Sequence, residues 1–206
     1  MDGSAARYLH PSNLLTYLSV LTGLGAMVAA QELRSWPIAG GLIAACALAD
    51  TFDGKFARLF ARGDSLKAFG VQLDSLADAL VFGVVPVVCL SLLLSFPSSA
   101  VRWAWSAAAF FYVVGAITRL GVYNLIHDKS DKFVGLPTTV AGLIWSSVFL
   151  AQPSAVVSTA LLAACGIAMV SPVPIPRPRG LVMVAFVAWP VILIALHGAR
   201  AGFGHG

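Results

Sequence analysis

The sequence predicts an all-α fold, a polytopic bundle of helices that crosses a membrane several times. Hydrophobic residues make up 59% of its 206 residues and charged residues 11%, whereas a soluble domain carries about 25% charged residues. The mean hydropathy of +0.88 agrees with this composition. The apolar residues also fall into long runs with short breaks between them. We therefore expect residues 1–206 to form a single membrane-embedded domain.

Seven apolar stretches account for most of the chain. Each is roughly 15 to 28 residues long, and a helix needs about 20 residues to span a membrane. Their bounds are Asn13–Ala30, Pro37–Ala61, Phe69–Phe96, Ala100–Gly121, Pro137–Ala151, Ala155–Ser171 and Leu181–His197. Breaks that contain proline, such as Phe96–Ser99 and Gln152–Ser154, separate several of them. Because the fifth stretch is short, we expect six to eight spans.

Positive charge is divided unevenly between the two ends of the predicted bundle. If the amino terminus is cytoplasmic and the spans alternate, ten Lys and Arg residues lie inside and three lie outside. The three outside are Arg34, Arg102 and Arg200. This bias is typical of multi-pass membrane proteins in that orientation. The basic residues do not cluster with aromatic residues, so we expect no nucleic-acid partner.

Cysteine and histidine offer little for a separate site. Cys46, Cys89 and Cys165 are isolated within apolar stretches, a pattern typical of small buried residues and of neither disulfides nor zinc sites. The four histidines lie near predicted helix ends or in loops. We assign them no catalytic role.

Acidic residues are concentrated in one short window. Five of the nine Asp and Glu residues lie within the 29 residues from Asp50 to Asp78. The window reads Asp50-x-x-Asp53-Gly54-x-x-Ala57-Arg58, then eleven residues, then Gly70-x-x-x-Asp74-x-x-x-Asp78. Residues three or four apart share a helix face, so each half of this pattern forms one stripe. If the second and third helices are antiparallel neighbours, four carboxylates face one cavity.

Four carboxylates at the edge of a membrane need a compensating charge. Each costs about 2.5 to 3.5 kcal/mol at the centre of a membrane helix, and neighbouring carboxylates also repel each other. Protonation would relieve this repulsion, and so would a divalent cation. Oxygen ligands without histidine favour Mg, Mn or Ca over Zn. We expect one or two Mg or Mn ions at the cytoplasmic end of the bundle, bound by Asp50, Asp53, Asp74 and Asp78.

Residues beside the aspartates suggest an anionic ligand. Gly54 and Ala57 lie on a carboxylate stripe and leave an open slot there, although small residues also allow close helix packing. Arg58 has a planar charged group that suits a diphosphate, and the alternative is an anchor at the lipid interface. Asp64 has no matching spacing, and we interpret it as a solvated loop residue.

The complete pattern from Asp50 to Asp78 resembles the signature of the CDP-alcohol phosphotransferase family, with all eight motif positions filled. Members are membrane enzymes that transfer a phosphate-containing group from a CDP-linked donor to an alcohol and release CMP. The resemblance implies a homodimer. It also implies that Asp50, Asp53 and Asp74 bind the metal, and that Asp78 binds metal or acts as the catalytic general base.

The same resemblance assigns a nucleotide site. It implies that the diphosphate is bound by Gly54, Ala57, Arg58 and Gly70. Asn13 matches the region where family members place an asparagine near the nucleotide, and the alternative is that it caps the first helix.

Other segments resemble the phosphatidylserine synthase branch of the family. These segments are Phe82–Pro86, Gly135–Thr139, and Met169–Ser171 ahead of Pro174 and Pro176. This likeness implies CDP-diacylglycerol as donor and serine as acceptor, with phosphatidylserine as product. Val122 departs from the branch, which carries a second arginine three residues after Arg119. Since Val122 cannot bind a carboxylate, glycerol phosphate and an inositol phosphate stay open as acceptors.

Three basic residues are candidates for binding the acceptor. They are Arg119, Lys129 and Lys132, all at the predicted cytoplasmic end. For the two lysines, positive charge set by membrane orientation alone is the alternative. A remote alternative for the whole protein is an ion or proton transporter that uses the aspartates as a relay. That function explains the carboxylates but not the glycines, Ala57 or Arg58.

Overall fold

The fold is that of a computed structural model, which describes residues 5–126, 132–176 and 180–203. Eight α-helices form most of the described part of the chain. They are α1 Leu14–Glu32, α2 Trp36–Ala57, α3 Asp64–Asp78, α4 Val85–Leu93, α5 Ser99–Ile126, α6 Thr138–Leu150, α7 Ala155–Val170 and α8 Leu181–Phe203. A π-helical segment, Ala79–Val84, joins α3 to α4 without a break. Two short strands, β1 Lys132–Val134 and β2 Pro174–Pro176, pair antiparallel.

Each predicted apolar stretch corresponds to one helix or one continuous helical rod. Four are long and apolar enough to cross a membrane, namely Pro11–Glu32, Asp64–Leu93, Ser99–Leu125 and Leu181–Gly202. The shorter apolar helices are α6 and α7. The protein is therefore a polytopic helical membrane protein, as the composition predicted. The span count of six to eight stays a prediction.

The third stretch begins earlier than the sequence indicated. We expected it to start at Phe69 with Asp64 in a loop, but α3 begins at Asp64 itself. Gly63 is extended and precedes the first turn, where the Asp64 carboxylate is favourable beside the helix N-terminus. Lys67 Nζ lies 3.1 Å from Asp64 Oδ1 on the same face. Asp64 is exposed, as expected, but it is a helical residue.

Helix starts follow local sequence signals. Ser35 caps α2, since its hydroxyl accepts a hydrogen bond from the Ile38 N–H at 3.2 Å, and Pro37 occupies the first turn. Ser154 caps α7 in the same way, with Val157 N–H at 3.3 Å. These caps explain why the breaks at Trp36–Pro37 and Gln152–Ser154 end one helix and begin the next.

Small residues bring the helices close together in the core. α2 is central and contacts α1, α6 and α8, while α5 packs along α7. A Cβ added to Gly166 would lie 2.8 Å from Phe111 Cδ1 on α5, and one added to Gly142 would lie 2.4 Å from Phe82 Cδ1. The predicted buried cysteines are confirmed, since Cys46, Cys89 and Cys165 are all buried and free.

The two ends of the bundle differ in chemistry. At one end, Arg34 Nη1 donates to the Leu92 carbonyl and Arg200 Nη1 donates to the Leu150 carbonyl, so both guanidinium groups cap helix C-termini. Trp36, at the start of α2, belongs to this end because its ring lies 5.2 Å from that of Phe149. The aspartates of α2 lie in its last two turns, at the opposite end. This separation agrees with the predicted division of charge, and the orientation in the membrane stays a prediction.

A turn at Gly135 fixes the start of α6. The Gly135 N–H donates to the Val173 carbonyl at 3.0 Å, and the Leu136 N–H donates to the Ala168 carbonyl at 2.9 Å. These bonds attach the turn to the C-terminal end of α7 and the residues after it. Gly135 has φ +71°, and an added Cβ would lie 2.1 Å from the Met169 carbonyl oxygen. Only glycine fits this position without moving the backbone.

Gly135→Ala should destabilise the protein more than Gly180→Ala. Both glycines have positive φ, +71° and +56°, where any L-residue costs roughly 1–2 kcal/mol. No atom of the described residues lies within 4 Å of a Cβ added to Gly180, so its substitution adds only that cost, whereas at Gly135 the clash with Met169 is added. Thermal unfolding in detergent measures the difference. Equal midpoints for the two variants would contradict the tight contact at Gly135.

Candidate functional site

Three of the four predicted metal ligands meet at one point. Asp50 near the end of α2, and Asp74 and Asp78 on α3, each offer a carboxylate oxygen, and these oxygens lie within 4.8 Å of one another. All three side chains are partly buried. The four-residue spacing of Asp74 and Asp78 places them on one face of α3, as the sequence predicted.

The two helices reach this arrangement through their neighbours. α1 packs against both α2 and α3, and the π-helical segment contacts α2. The chain between Ala57 and Asp64 is short, so α3 returns beside the end of α2. The expectation that both carboxylate stripes face one cavity therefore holds for Asp50, Asp74 and Asp78.

The three carboxylates suit a hard divalent cation. Two like charges about 5 Å apart repel by about 3 kcal/mol at an effective dielectric of about 20. A cation among them reverses the sign of this interaction. Each of the three offers a carboxylate oxygen, which is the ligand type that Mg, Mn and Ca prefer. The donor set thus fits the expected metal.

Asp53 occupies a neighbouring position. It is not part of the group of three, but its carboxylate lies next to Asp74. Thr16 Oγ1 of α1 donates to Asp53 Oδ2 at 3.3 Å. The metal role of Asp53 stays a prediction, and the structure places it at the edge of the carboxylate group, facing the amino-terminal helix.

All the predicted nucleotide-binding residues line one open groove, with a volume of about 350 Å³. They are Asn13, Gly54, Ala57, Arg58 and Gly70, together with Asp53 and Asp74. The groove also includes Arg62 and Lys67, which the sequence analysis did not single out as ligands. Three basic side chains and two aspartates therefore share one surface, which suits a metal-bound diphosphate.

Two positions show why small residues occur in this groove. A Cβ on Gly54 would have no atom of the described part of the chain within 4 Å, so the position is open and is not used for helix packing there. A Cβ on Gly70 would lie 3.4 Å from Arg62 Nη1 and 3.5 Å from Asn13 Oδ1. Of the two alternatives for Gly54, the structure favours space for a ligand.

Asn13 does not use its side chain to cap α1. It stands at the cap position, but its side chain makes no hydrogen bond to the first turn. Its Nδ2 donates to the Tyr8 carbonyl at 3.4 Å, and its Oδ1 accepts from the Ser12 hydroxyl at 3.3 Å. The residue is 3% exposed and lines the groove. This geometry favours the nucleotide alternative over capping.

A second cavity, of about 230 Å³, lies on the other side of the carboxylates. Its polar lining includes Asp74, Ser75, Asp78, Arg119, Tyr123, Asn124 and Thr139. Arg119 is buried, and its guanidinium carbon lies 5.2 Å from the centre of the Tyr123 ring. Asn124 Nδ2 donates to Ser75 Oγ at 2.9 Å, which joins α5 to α3. The cavity has room for a small polar molecule, and its arginine suits one anionic group on that molecule.

The other acceptor candidates are less defined. Lys129 lies outside the described residues, and Lys132 begins β1 but its side chain is not among those described. Val122, where the family branch carries arginine, lines an adjoining cavity of about 90 Å³ with Thr118, Met169 and Ser171. Arg119 and Tyr123 line both this cavity and the one that contains Asp78, whereas Val122 lines only the smaller one.

Two threonines donate hydrogen bonds to the carboxylates, and the sequence analysis gave these threonines no role. Thr139 Oγ1 donates to Asp50 Oδ2 at 2.7 Å, and Thr138 Oγ1 donates to Asp78 Oδ2 at 3.2 Å. Both belong to the segment Gly135–Thr139, which had been noted only for its resemblance to one family branch. That segment was the available signal, but nothing in its spacing indicated which carboxylates it would contact.

The chain is similar to known proteins. The family model for CDP-alcohol phosphatidyltransferases matches residues 8–173, and the chain belongs to that family. It is similar to the CDP-diacylglycerol–serine O-phosphatidyltransferase of Mycobacterium tuberculosis, with 36% identity over 132 residues. This match covers 60% of the chain and 43% of the relative, so the chain spans less than half the length of that protein.

Two further relatives extend the likeness. The CDP-diacylglycerol–serine O-phosphatidyltransferase of Helicobacter pylori is 32% identical over 139 residues, 66% of the chain and 55% of the relative. The archaetidylserine synthase of Methanothermobacter thermautotrophicus is 33% identical over 153 residues, 70% of the chain and 63% of the relative. All three matches support the resemblance that the aspartate pattern indicated.

Asp50→Asn and Asp74→Asn should each weaken binding of Mn²⁺ to the purified protein. Loss of an outer-shell partner typically weakens metal binding by about 10- to 100-fold, so loss of a ligand should weaken it by at least about 10-fold. Asp64→Asn is the matched control, since Asp64 is exposed and is neither part of the group of three carboxylates nor a residue that lines the groove. Electron paramagnetic resonance of free Mn²⁺ measures the affinity. Unchanged affinity in the first two variants would count against a metal site here.

Proposed function

We propose that this protein transfers the phosphatidyl group of CDP-diacylglycerol to the hydroxyl of serine and releases CMP. One observation carries the proposal. Asp74 lines both the groove with the diphosphate candidates and the cavity with Arg119. A donor in the groove and an acceptor in the cavity would thus meet at the carboxylates, which is the geometry that a direct transfer needs.

The groove supplies the donor side of the reaction. Arg58, Arg62 and Lys67 offer positive charge to the diphosphate, and Asn13 offers polar contacts to the nucleotide. The open surface at Gly54 gives the diphosphate room beside the aspartates. Since the donor is a lipid, its acyl chains would remain in the bilayer next to α1 and α3.

The carboxylates supply the metal site and the base. Mg or Mn bound by Asp50, Asp74 and Asp78, with Asp53 beside them, would neutralise charge on the diphosphate and on the departing CMP. Asp78 lies in the acceptor cavity, where its carboxylate can take the proton of the attacking hydroxyl. The acceptor oxygen then bonds to the phosphorus that carries diacylglycerol, and the bond from that phosphorus to CMP breaks.

The lining of the acceptor cavity favours serine. Arg119 is the one cation among the described residues that line it, which suits a single carboxylate. An acceptor that carries its own phosphate would need more positive charge than the described lining provides. Two of the relatives are named as serine O-phosphatidyltransferases, and their names support the same acceptor.

Membrane orientation and assembly are part of the same proposal. The division of charge supports an active site that faces the cytoplasm, where serine is available. The family resemblance supports a homodimer. The cytoplasmic active site and the homodimer are both proposed for the intact protein in its membrane.

Purified protein with CDP-diacylglycerol and Mn²⁺ or Mg²⁺ should release CMP when serine is added. The same assay with glycerol phosphate and with an inositol phosphate tests the alternative acceptors. Product formation with one of these and not with serine would overturn the serine assignment. Ion flux in vesicles without any CMP release would instead support the transporter alternative.

Asp78→Asn should lower turnover by about 10²- to 10⁴-fold, because asparagine keeps the shape of the side chain but cannot accept the proton. At saturating Mn²⁺, binding of CDP-diacylglycerol should persist, since Asp78 does not line the groove and Asp50 and Asp74 remain as metal ligands. Initial rates of CMP release and binding of the lipid, measured in parallel, separate the two effects. Turnover like that of the unmodified protein would exclude Asp78 as the base.

A further inference from the structure

The first two residues of α6 contact carboxylates from two other helices. Thr139 binds Asp50, 89 residues away, and Thr138 binds Asp78, 60 residues away. Thr16 makes a similar bond to Asp53, whereas Thr51 and Thr159 donate to carbonyls of their own helices, Ala47 and Ala155. Such local bonds are the usual choice for threonine in a helix. The hydroxyls of Thr138 and Thr139 are therefore committed to tertiary contacts.

Thr138 also contacts the buried arginine of the acceptor cavity. Arg119 Nη1 donates to Thr138 Oγ1 at 3.5 Å, and Thr138 is 1% exposed. A hydroxyl has one proton and two lone pairs. Because the proton is donated to Asp78, the oxygen is left to accept from Arg119. Thr138 thus connects the acceptor-cavity cation to the proposed base through one side chain.

The backbone before these threonines restricts where their hydroxyls lie. Gly135 and Leu136 are bound to the end of α7, and Pro137, the extended residue just before α6, has φ −61°. Proline restricts φ, and the Gly135 turn admits no larger side chain without a clash. The start of α6 is therefore fixed by contacts that do not involve the aspartates.

We propose that Thr138 and Thr139 are positioning residues, which hold one oxygen of Asp78 and of Asp50 and so orient the second oxygen of each carboxylate. The role in catalysis rests on the proposed function, whereas the role in cation binding does not. The Thr139 bond, at 2.7 Å, has the length of a charge-assisted O–H···O⁻ bond. Thr139 therefore acts on cation binding through Asp50. Thr138 acts through Asp78 on cation binding and on proton transfer, and through Arg119 on the acceptor.

Valine and serine substitutions test this inference. Valine keeps the shape of threonine and removes the hydroxyl, whereas serine keeps the hydroxyl. Thr139→Val should weaken Mn²⁺ binding in the absence of substrates by about 10- to 100-fold, and Thr139→Ser should restore it. Thr138→Val should lower kcat by about 10-fold or more and raise the KM for serine, and Thr138→Ser should restore both.

Thr159→Val is the matched control, because its hydroxyl bonds to Ala155 within α7 and touches no site residue. It should leave Mn²⁺ binding and kinetics unchanged. Thermal unfolding in detergent is measured for every variant. A loss of function that serine does not restore would show a merely structural role and overturn the inference. The same conclusion would follow if function is lost in proportion to a lower unfolding midpoint, or if Thr159→Val shows the same loss.

The two proposals fail in different ways. If the unmodified protein is active and both valine variants match it in Mn²⁺ affinity and kinetics, the positioning role is wrong and the proposed reaction stands. If the unmodified protein transfers to no alcohol, yet Thr139→Val weakens Mn²⁺ binding and Thr139→Ser restores it, the reaction is wrong and the positioning of Asp50 is supported.

Discussion

Convergence of like charges at one end of an apolar bundle is the constraint on which the rest of the structure depends. Asp50, Asp74 and Asp78 would separate if their helices were free to move, because each pair repels by a few kcal/mol. Tight packing around α2, glycine contacts between helices, and threonine hydroxyls on α6 together resist that separation. The apolar bundle therefore acts as a rigid frame, and its stability keeps the three carboxylates together in an arrangement that suits a cation.

The sequence was sufficient to predict the helices and the two carboxylate stripes, since both follow from local periodicity. It did not predict Thr138 and Thr139 as site residues, because their partners lie 60 and 89 residues away. The direction of their side chains depends on the Gly135 turn, which is bound to the end of α7. No local sequence pattern indicates that contact. The direction of Asp53 also could not be predicted from local sequence. It shares a stripe with Asp50, but each residue adds a rotation of about 100°, so the two side chains do not point the same way. The Asp53 carboxylate lies toward α1, where it accepts a hydrogen bond from Thr16.

The groove and the cavity divide the site into two compartments with Asp74 between them. The groove is open and carries several basic side chains, while the cavity is smaller and contains one buried arginine. This difference matches a large lipid donor that arrives from the bilayer and a small polar acceptor that arrives from water. The cavity lining comes mainly from α3, α5 and the start of α6, whereas the groove lining comes from the end of α2, α3 and the residues around the start of α1.

The π-helical segment Ala79–Val84 lies directly after Asp78 and changes the phase of the rod. The Phe82 carbonyl within it lies four residues before Pro86, which has no N–H to donate, and it accepts a hydrogen bond from the Tyr112 hydroxyl at 2.7 Å. The carboxylate face of α3 and the core-facing side of α4 are therefore rotated relative to each other about the helix axis by an angle that a regular α-helix would not give. A rod without this bulge could not keep both faces in place with the same number of residues. The number of residues between Asp78 and Pro86 therefore helps to set where the carboxylates lie relative to the core.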